Sequence, residues 1–265
     1  MLTAKLGIPF KKIKLIQGDS DLLIAGGGTG GSKSIMASGA AIVEASDKVI
    51  DKGKLIAGAA LEASAADIEF NAGRFTIVGT DRGVGIMELA ERLRGGMKLP
   101  EGVPDSLDVS HVHEAAPSAY PNGTHVCEVE VDPDTGIVDV VKYTMVGDFG
   151  TVINPMLVEG QSHGGVVQGI GQAMFEHVVY SEEGQPLTGS FTDYALPRAD
   201  TVPFFAMGYH SVPAKTNVLG AKGCGEAGCA GALPSVMNAI VDALGGKHIN
   251  MPATPERVWE VLHSA

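Results

Sequence analysis

Glycine is concentrated at three places in this 265-residue chain where backbone groups could bind a ligand. Many of the 36 glycines fall in the clusters Gly26–Gly31, Gly160–Gly171 and Gly220–Gly231. Glycine permits positive φ and lets main-chain N–H groups approach a ligand closely, so such clusters suggest binding sites. Three flexible turns are the alternative interpretation of the same composition. The third cluster also carries a carboxylate, Glu226, which could serve as a general base.

The first cluster lies just before a predicted helix, where free N–H groups and the helix dipole favour phosphate or another anion. It does not fit a P-loop, because Ser32 separates the last glycine from Lys33. A GxGxxG pattern is present, but a dinucleotide-binding fold also needs a second strand ending in an acidic residue about 20 positions on. That stretch, around Asp47–Asp51, is predicted to be helical. A dinucleotide-binding protein therefore stays a minor alternative.

The wider string QGDSDLLIAGGGTGGSKSIMASGAA resembles the QGDTD...GxGTxGSRS...GxA segment of molybdenum hydroxylase large subunits. This is the family of xanthine dehydrogenase, aldehyde oxidase and aerobic carbon monoxide dehydrogenase. The resemblance implies that this loop contacts the pyranopterin and its phosphate through Gly31, Ser32, Lys33 and Ser34. Lys33 stands where the family has arginine, so it keeps the charge but loses the planar fork of donors.

The second cluster is similar to the family segment NP...GQ.HGG..QG.GQAL. The resemblance makes Gln168 and the backbone at Gly164 and Gly165 candidates for cofactor binding, together with Gln161. Glutamine amides both donate and accept hydrogen bonds, which suits recognition of a pterin edge.

The third cluster, GAKGCGEAG followed by PSVMNAIVDA, closely matches the family signature GxKGxGExG...PAvxNAvxDA. The resemblance makes Glu226 the catalytic base, and we expect glycines and apolar residues to shield it from water. It further implies an oxidative hydroxylation of an aldehyde or N-heterocycle that uses water, with electrons leaving through iron–sulfur and FAD partners. In this family the molybdenum is held by molybdopterin, or by its cytosine dinucleotide form, so no protein metal ligand is predicted.

Composition excludes several classes of function. Acidic side chains exceed basic ones by 31 to 19, which disfavours nucleic acid and anionic lipid as partners. No apolar run reaches membrane length. Three cysteines, an odd number, together with the lack of a signal-type N-terminus, favour a reduced cytoplasmic setting.

The elements that must position these residues predict an α+β fold of mixed α/β layers. Alternation predicts a strand over Lys12–Gln17, and two consecutive helices are expected over Ile35–Ile50 and Leu55–Ala65. Hairpins are expected around Asn71–Gly73 and Asp132–Gly136. Helices are expected from Asn154 to about His177, from about Leu233 to Leu244, and after Thr254.

A stretch between Gly95 and Asp108, rich in proline and glycine, predicts a boundary near Asp105. Residues 1–105 would form a first subdomain with the phosphate loop. Residues 106–265 would form a second with the glutamine-rich helix and the Glu226 loop.

The family's upstream GGxFG loop and QGxGxxT segment have no counterpart in this sequence, and LTAKLGIP after Met1 is typical of mid-domain family sequence. We therefore expect the C-terminal part of a large subunit, either a split subunit or a fragment. It would need a complementary N-terminal chain or region, without which the cofactor is expected to be absent and turnover to fail. A non-catalytic scaffold or cofactor-handling protein is the alternative.

Overall fold

The computed structural model describes residues 1–114 and 118–264. Helices and small sheets occur together, so the predicted α+β class is confirmed. The helices are α1 Leu2–Leu6, α2 Ser34–Leu61, α3 Ile86–Arg94, α4 Pro155–Met174, α5 Ala227–Ala243 and α6 Pro255–His263. The strands are β1 Ile68–Asn71, β2 Arg74–Ile77, β3 Gly83–Gly85, β4 Asn122–Val131, β5 Val138–Asp148 and β6 Phe205–Tyr209.

The chain divides into two compact units. The first comprises Met1–Thr29, Ser34–Pro117 and Asn217–Leu219, and the second comprises Gly30–Lys33, Ser118–Thr216 and Gly220–Ala265. Residues 30–33 of the phosphate loop group with the second unit, and the domain boundary near Asp105 stays a prediction.

The first unit packs α2 against an antiparallel sheet of order β1-β2-β3. Its core contains Ile56, Phe75 and Leu89, all fully buried. Gly53 of α2 is required here, because a Cβ at this position would overlap the ring of Phe75. An antiparallel sheet does not provide the parallel βαβ unit of a dinucleotide-binding fold, so that alternative loses its structural basis.

The second unit carries a sheet of order β4-β5-β6, in which β4 and β5 are antiparallel and β5 and β6 parallel. Helices α4, α5 and α6 contribute to the core beside this sheet, through residues such as Ile170, Ile240 and Val258. Tyr143 of β5 is fully buried among them, and its hydroxyl lies 2.7 Å from Nδ1 of His125.

Both predicted hairpins, the capped start of α4 and the start of α6 are confirmed. The side chain of Asn154 accepts a hydrogen bond from the backbone N of Leu157 and Pro155 occupies the first turn.

Three secondary-structure predictions were wrong. Residues 13–17 form no strand, because no neighbouring strand of the described chain pairs with them and Leu15 is 72% exposed. The two helices expected between residues 35 and 65 are one continuous helix, α2. Helix α5 begins at Ala227, six residues before the predicted start, because its small residues pack closely against α4 and Pro234 is tolerated inside it.

Candidate functional site

Glu226 lies immediately before α5 and is held from one side by Ser32. The Ser32 hydroxyl donates a hydrogen bond to Oε2 of Glu226 at 3.0 Å, and Oγ of Ser32 in turn accepts one from the Glu226 backbone N at 3.1 Å. Oε1 of Glu226 has no hydrogen-bond partner within residues 1–114 and 118–264. One carboxylate oxygen is therefore fixed and the other is free to accept a proton.

The hydroxyl of Ser32 reaches Glu226 because the surrounding backbone takes an unusual shape. Ser32 itself has φ 54°, a left-handed conformation that is rare outside glycine, and it follows Gly31 with φ 57°. The Ser32 carbonyl packs directly on Gly223, where a Cβ would overlap it. Strained residues of this kind persist only where their surroundings hold them, and they cluster at functional sites.

The exposed face of α4 presents amide groups beside the hydrogen bonds that join Ser32 and Glu226. Gln161, Gly164 and Gln168 are spaced so that they share one face of the helix, and all three are exposed. Nε2 of Gln161 lies 3.5 Å from the position that a Cβ of Gly225 would occupy. No residue in the described part of the chain hydrogen-bonds the side-chain amide of Gln161 or Gln168.

The two glycines of α4 named as cofactor candidates differ in their surroundings. A side chain at Gly164 would meet open space, whereas one at Gly165 would lie 3.0 Å from backbone atoms of Gly228 and Cys229. Gly165 therefore permits the close approach of α4 and α5. The backbone N–H groups of both residues lie inside the helix and are used by its hydrogen-bond ladder.

The other candidates of the phosphate loop fall in different places. Gly31 is exposed and Lys33 is half-buried in the second unit, and Lys33 forms no ion pair within the described residues. Ser34 belongs to the first unit, where it begins α2 and shares a hydrogen bond of 3.0 Å with the hydroxyl of Thr29. Ser32, Gln161, Gly225 and Glu226 are thus the residues that the second unit brings together.

The expectation that Glu226 is shielded from water is wrong for this chain, because the residue is exposed. Gly225 and Gly228 flank Glu226 in the sequence, but they do not cover its side chain.

One residue of this region, Asp148, could not be singled out from the sequence. It ends β5, is largely buried, and forms an ion pair of 2.5 Å with Lys222, four residues before Glu226. Burial would raise the pKa of Asp148, but the hydrogen bonds from the Lys222 ammonium and from the backbone N–H groups of Val212 and Gly150 outweigh it and lower the pKa to about 2. The only sequence signal was an acidic residue at a strand end, which is typical of any turn.

No group of three or more histidine, cysteine, aspartate or glutamate side chains in the described residues could hold a metal ion. Nδ1 of His163, the histidine of α4, lies 2.9 Å from the Glu159 carbonyl oxygen, and its ring packs beside that of Phe205. No helix among the described residues has the length and apolar character needed to cross a membrane.

Comparison with known proteins gives matches over the whole chain. A family model of the molybdopterin cofactor-binding domain matches residues 1–203. The chain is 37% identical over 258 residues to the nicotine 6-hydroxylase large subunit of Paenarthrobacter nicotinovorans. This alignment covers 96% of this chain and 32% of that protein. It is also 34% identical over 266 residues to the carbon monoxide dehydrogenase large chain of Hydrogenophaga pseudoflava. That alignment covers 99% of this chain and 33% of the relative.

A solved structure shows the same fold. The crystal structure of a Cu,Mo-CO dehydrogenase in its carbon monoxide reduced state is similar with a TM-score of 0.90 at 34% identity, over 99% of this chain and 34% of that chain. The chain therefore spans about a third of the length of the relatives that it matches.

Proposed function

This chain belongs to the molybdopterin cofactor-binding domain family, and from that premise we propose that it forms the C-terminal part or a split subunit of a molybdenum hydroxylase. The reaction we propose is the oxidative hydroxylation of an aldehyde or N-heterocycle with water as the oxygen source. The observation that carries the proposal is the meeting of Ser32, Gln161 and Glu226, which come from three separate glycine-rich motifs.

The residues present fit an anionic pterin with polar ring edges. Gln161 and Gln168 offer free amides that can both donate and accept, and the space above Gly164 is open. Lys33 supplies a positive charge for a phosphate, with Gly31 and Ser34 as further candidates of the same loop. When bound, the molybdenum–pterin group supplies the redox chemistry, which no side chain of this site can provide.

Glu226 is the residue we propose as the base. The hydrogen bond from the Ser32 hydroxyl fixes Oε2 of Glu226, and the bond from the Glu226 N–H to Ser32 fixes its backbone. Oε1 is left to accept a proton from the activated water. A positioned base of this kind contributes about 10²–10⁴-fold to a rate. Ser32, predicted as a cofactor contact, would thus act at least in part by orienting Glu226.

The exposure of the site supports the proposal that this chain works with a complementary polypeptide. Glu226 is open to solvent, and residues 14–31 are exposed throughout. This segment includes large apolar side chains such as Leu22 and Ile24, which are 63% and 65% exposed. We propose that the remaining two thirds of the large subunit covers this segment, and that it also completes the cofactor site around Glu226.

Further partners follow from the same assignment. We propose that iron–sulfur and FAD subunits carry the electrons away, that the cofactor can be the cytosine dinucleotide form, and that the complex is cytoplasmic. The free thiols of Cys127, Cys224 and Cys229 agree with a reducing compartment.

The direct test is to purify the chain alone and together with a polypeptide that supplies the rest of the large subunit. We expect stoichiometric molybdenum and dye reduction with an aldehyde or N-heterocycle only in the combined preparation. Substituting Gln161→Leu and Gln168→Leu should lower the molybdenum content, whereas Gln185→Leu, in an exposed turn, should not. Molybdenum and turnover in the isolated chain would refute the need for a partner, and molybdenum without any turnover in the complex would favour a scaffold.

A further inference from the structure

The loop that carries Glu226 contains a lysine whose charge is used inside the protein. Lys222 stands in the glycine-rich run GAKGCGE, where a cation beside an anion-binding loop would ordinarily be assigned to the ligand. Its side chain is only 11% exposed, and its ammonium is 2.5 Å from Oδ2 of Asp148, which is 13% exposed. Lys222 is therefore not free to bind an anionic ligand.

Asp148 joins three separate segments at the end of β5. Its Oδ1 accepts hydrogen bonds from the backbone N of Gly150 and of Val212, each at 2.9 Å. Its Oδ2 accepts the bond from Lys222. A single buried carboxylate thus ties the turn after β5, the segment after β6 and the Glu226 loop to one point.

The backbone around this ion pair is equally constrained. Lys222 N donates to the Phe149 carbonyl at 2.9 Å, and Thr151 N donates to the Gly220 carbonyl at 2.8 Å, with a β-bridge between Gly150 and Ala221. Gly150 has φ 60°, and a Cβ there would overlap the Gly220 carbonyl oxygen. Residues 220–222 are therefore attached to the end of β5 as a short rigid ladder.

Lys222, the last residue of this ladder, lies four residues before Glu226. The hydrogen bonds between Ser32 and Glu226 hold the other end of the same loop. We propose that Asp148 and Lys222 are positioning residues for Glu226, fixing the start of its loop so that Ser32 can hold the carboxylate at the end. The naming of Glu226 as the base rests on the proposed function, whereas the fixing of the loop does not.

The test uses four variants of the whole chain. Lys222→Met and Asp148→Asn each break the ion pair and leave one buried charge, and the double variant removes both charges. Lys142→Met is the matched control, because Lys142 on the same strand forms an exposed ion pair with Glu128 at 3.1 Å. Amide hydrogen exchange of residues 220–226 and the melting temperature are measured for each.

We expect exchange of residues 220–226, including the Glu226 amide, to be about tenfold faster or more in both single variants. The double variant should recover most of the melting temperature, since no lone buried charge remains, and yet keep the fast exchange. The control should match the parent in both measurements. Unchanged exchange in the single variants, or exchange in the double variant that returns together with the melting temperature, would overturn the proposal.

A second readout uses the molybdenum-loaded complex. Lys222→Met should lower kcat by about tenfold or more while KM and molybdenum content stay near the parent's, because the loss concerns the orientation of the base. Loss of molybdenum at unchanged kcat per molybdenum would assign Lys222 to the ligand and overturn the proposal. If the parent complex itself is inactive, the proposed function fails, and the exchange result still decides the role of the ion pair.

Discussion

Substituting Gly169→Ala tests the close packing of α4 on α5, which sets the relative position of Gln161 and Glu226. Helix propensity alone favours alanine by about 1 kcal/mol. A Cβ at residue 169 would, however, lie 2.6 Å from the Cβ of Ala232 and 3.1 Å from the Cys229 carbonyl oxygen. Overpacking costs about 1–3 kcal/mol, and because both contacted atoms are anchored to the α5 backbone we expect a net loss of about 2 kcal/mol.

The measurement is urea unfolding followed by circular dichroism, with a melting temperature that should fall by roughly 4–8 °C. Gly164→Ala on the same helix is the control, and it should gain up to about 1 kcal/mol, because a side chain there meets open space. Adding Ala232→Gly to Gly169→Ala removes the opposing methyl and should return the stability close to that of the parent. If Gly169→Ala is as stable as the parent, or behaves as Gly164→Ala does, the helices do not approach as described.

Three further outcomes are expected. Gly223→Ala should displace the Ser32 carbonyl and speed amide exchange at Glu226, without an equal effect on α2; an unchanged exchange rate would contradict the close contact. Tyr143→Phe should cost about 1–3 kcal/mol in urea unfolding, because it leaves Nδ1 of the half-buried His125 without its partner, and a loss below about 0.5 kcal/mol would contradict that. Since the folded-state pKa of Asp148 is lowered to about 2, its contribution to stability is present above the ordinary pKa of 3.8 and is lost as the pH falls from there towards 2. Asp148→Asn should therefore lose less stability than the parent as the pH falls through that window. Equal slopes of unfolding free energy against pH in the two proteins would count against this role.

Local patterns were sufficient to predict those elements whose partners lie nearby in sequence. The hairpins turned by Asn71–Gly73 and Asp132–Gly136 and the start of α4 at Asn154 depend on residues within a few positions, and all were confirmed. The strand predicted over residues 12–17 failed because alternation does not reveal whether a pairing strand exists.

Glycine was the main source of error in the helices, because its role depends on distant neighbours. Gly53 falls between the two helices that were predicted, although it gives room to the ring of Phe75 inside one continuous helix. The glycines at the start of α5 likewise led to a predicted start that was too late, since they serve the packing against α4 rather than a turn.

The candidate site was predictable only as far as its motifs reached. The resemblance named Ser32, Gln161 and Glu226, which the second unit brings together, but it could not show that the Ser32 hydroxyl binds the glutamate. Asp148 was missed because its partner Lys222 is 74 positions away and nothing local distinguishes a carboxylate at a strand end.

The central claim, that Glu226 is the base of a molybdenum hydroxylase, is tested most directly by Glu226→Gln in the molybdenum-loaded complex. The substitution keeps the size of the side chain and removes its ability to accept a proton. We expect the molybdenum content of the parent and a kcat lowered by about 100-fold or more. Turnover within about twofold of the parent at equal molybdenum content would contradict the account.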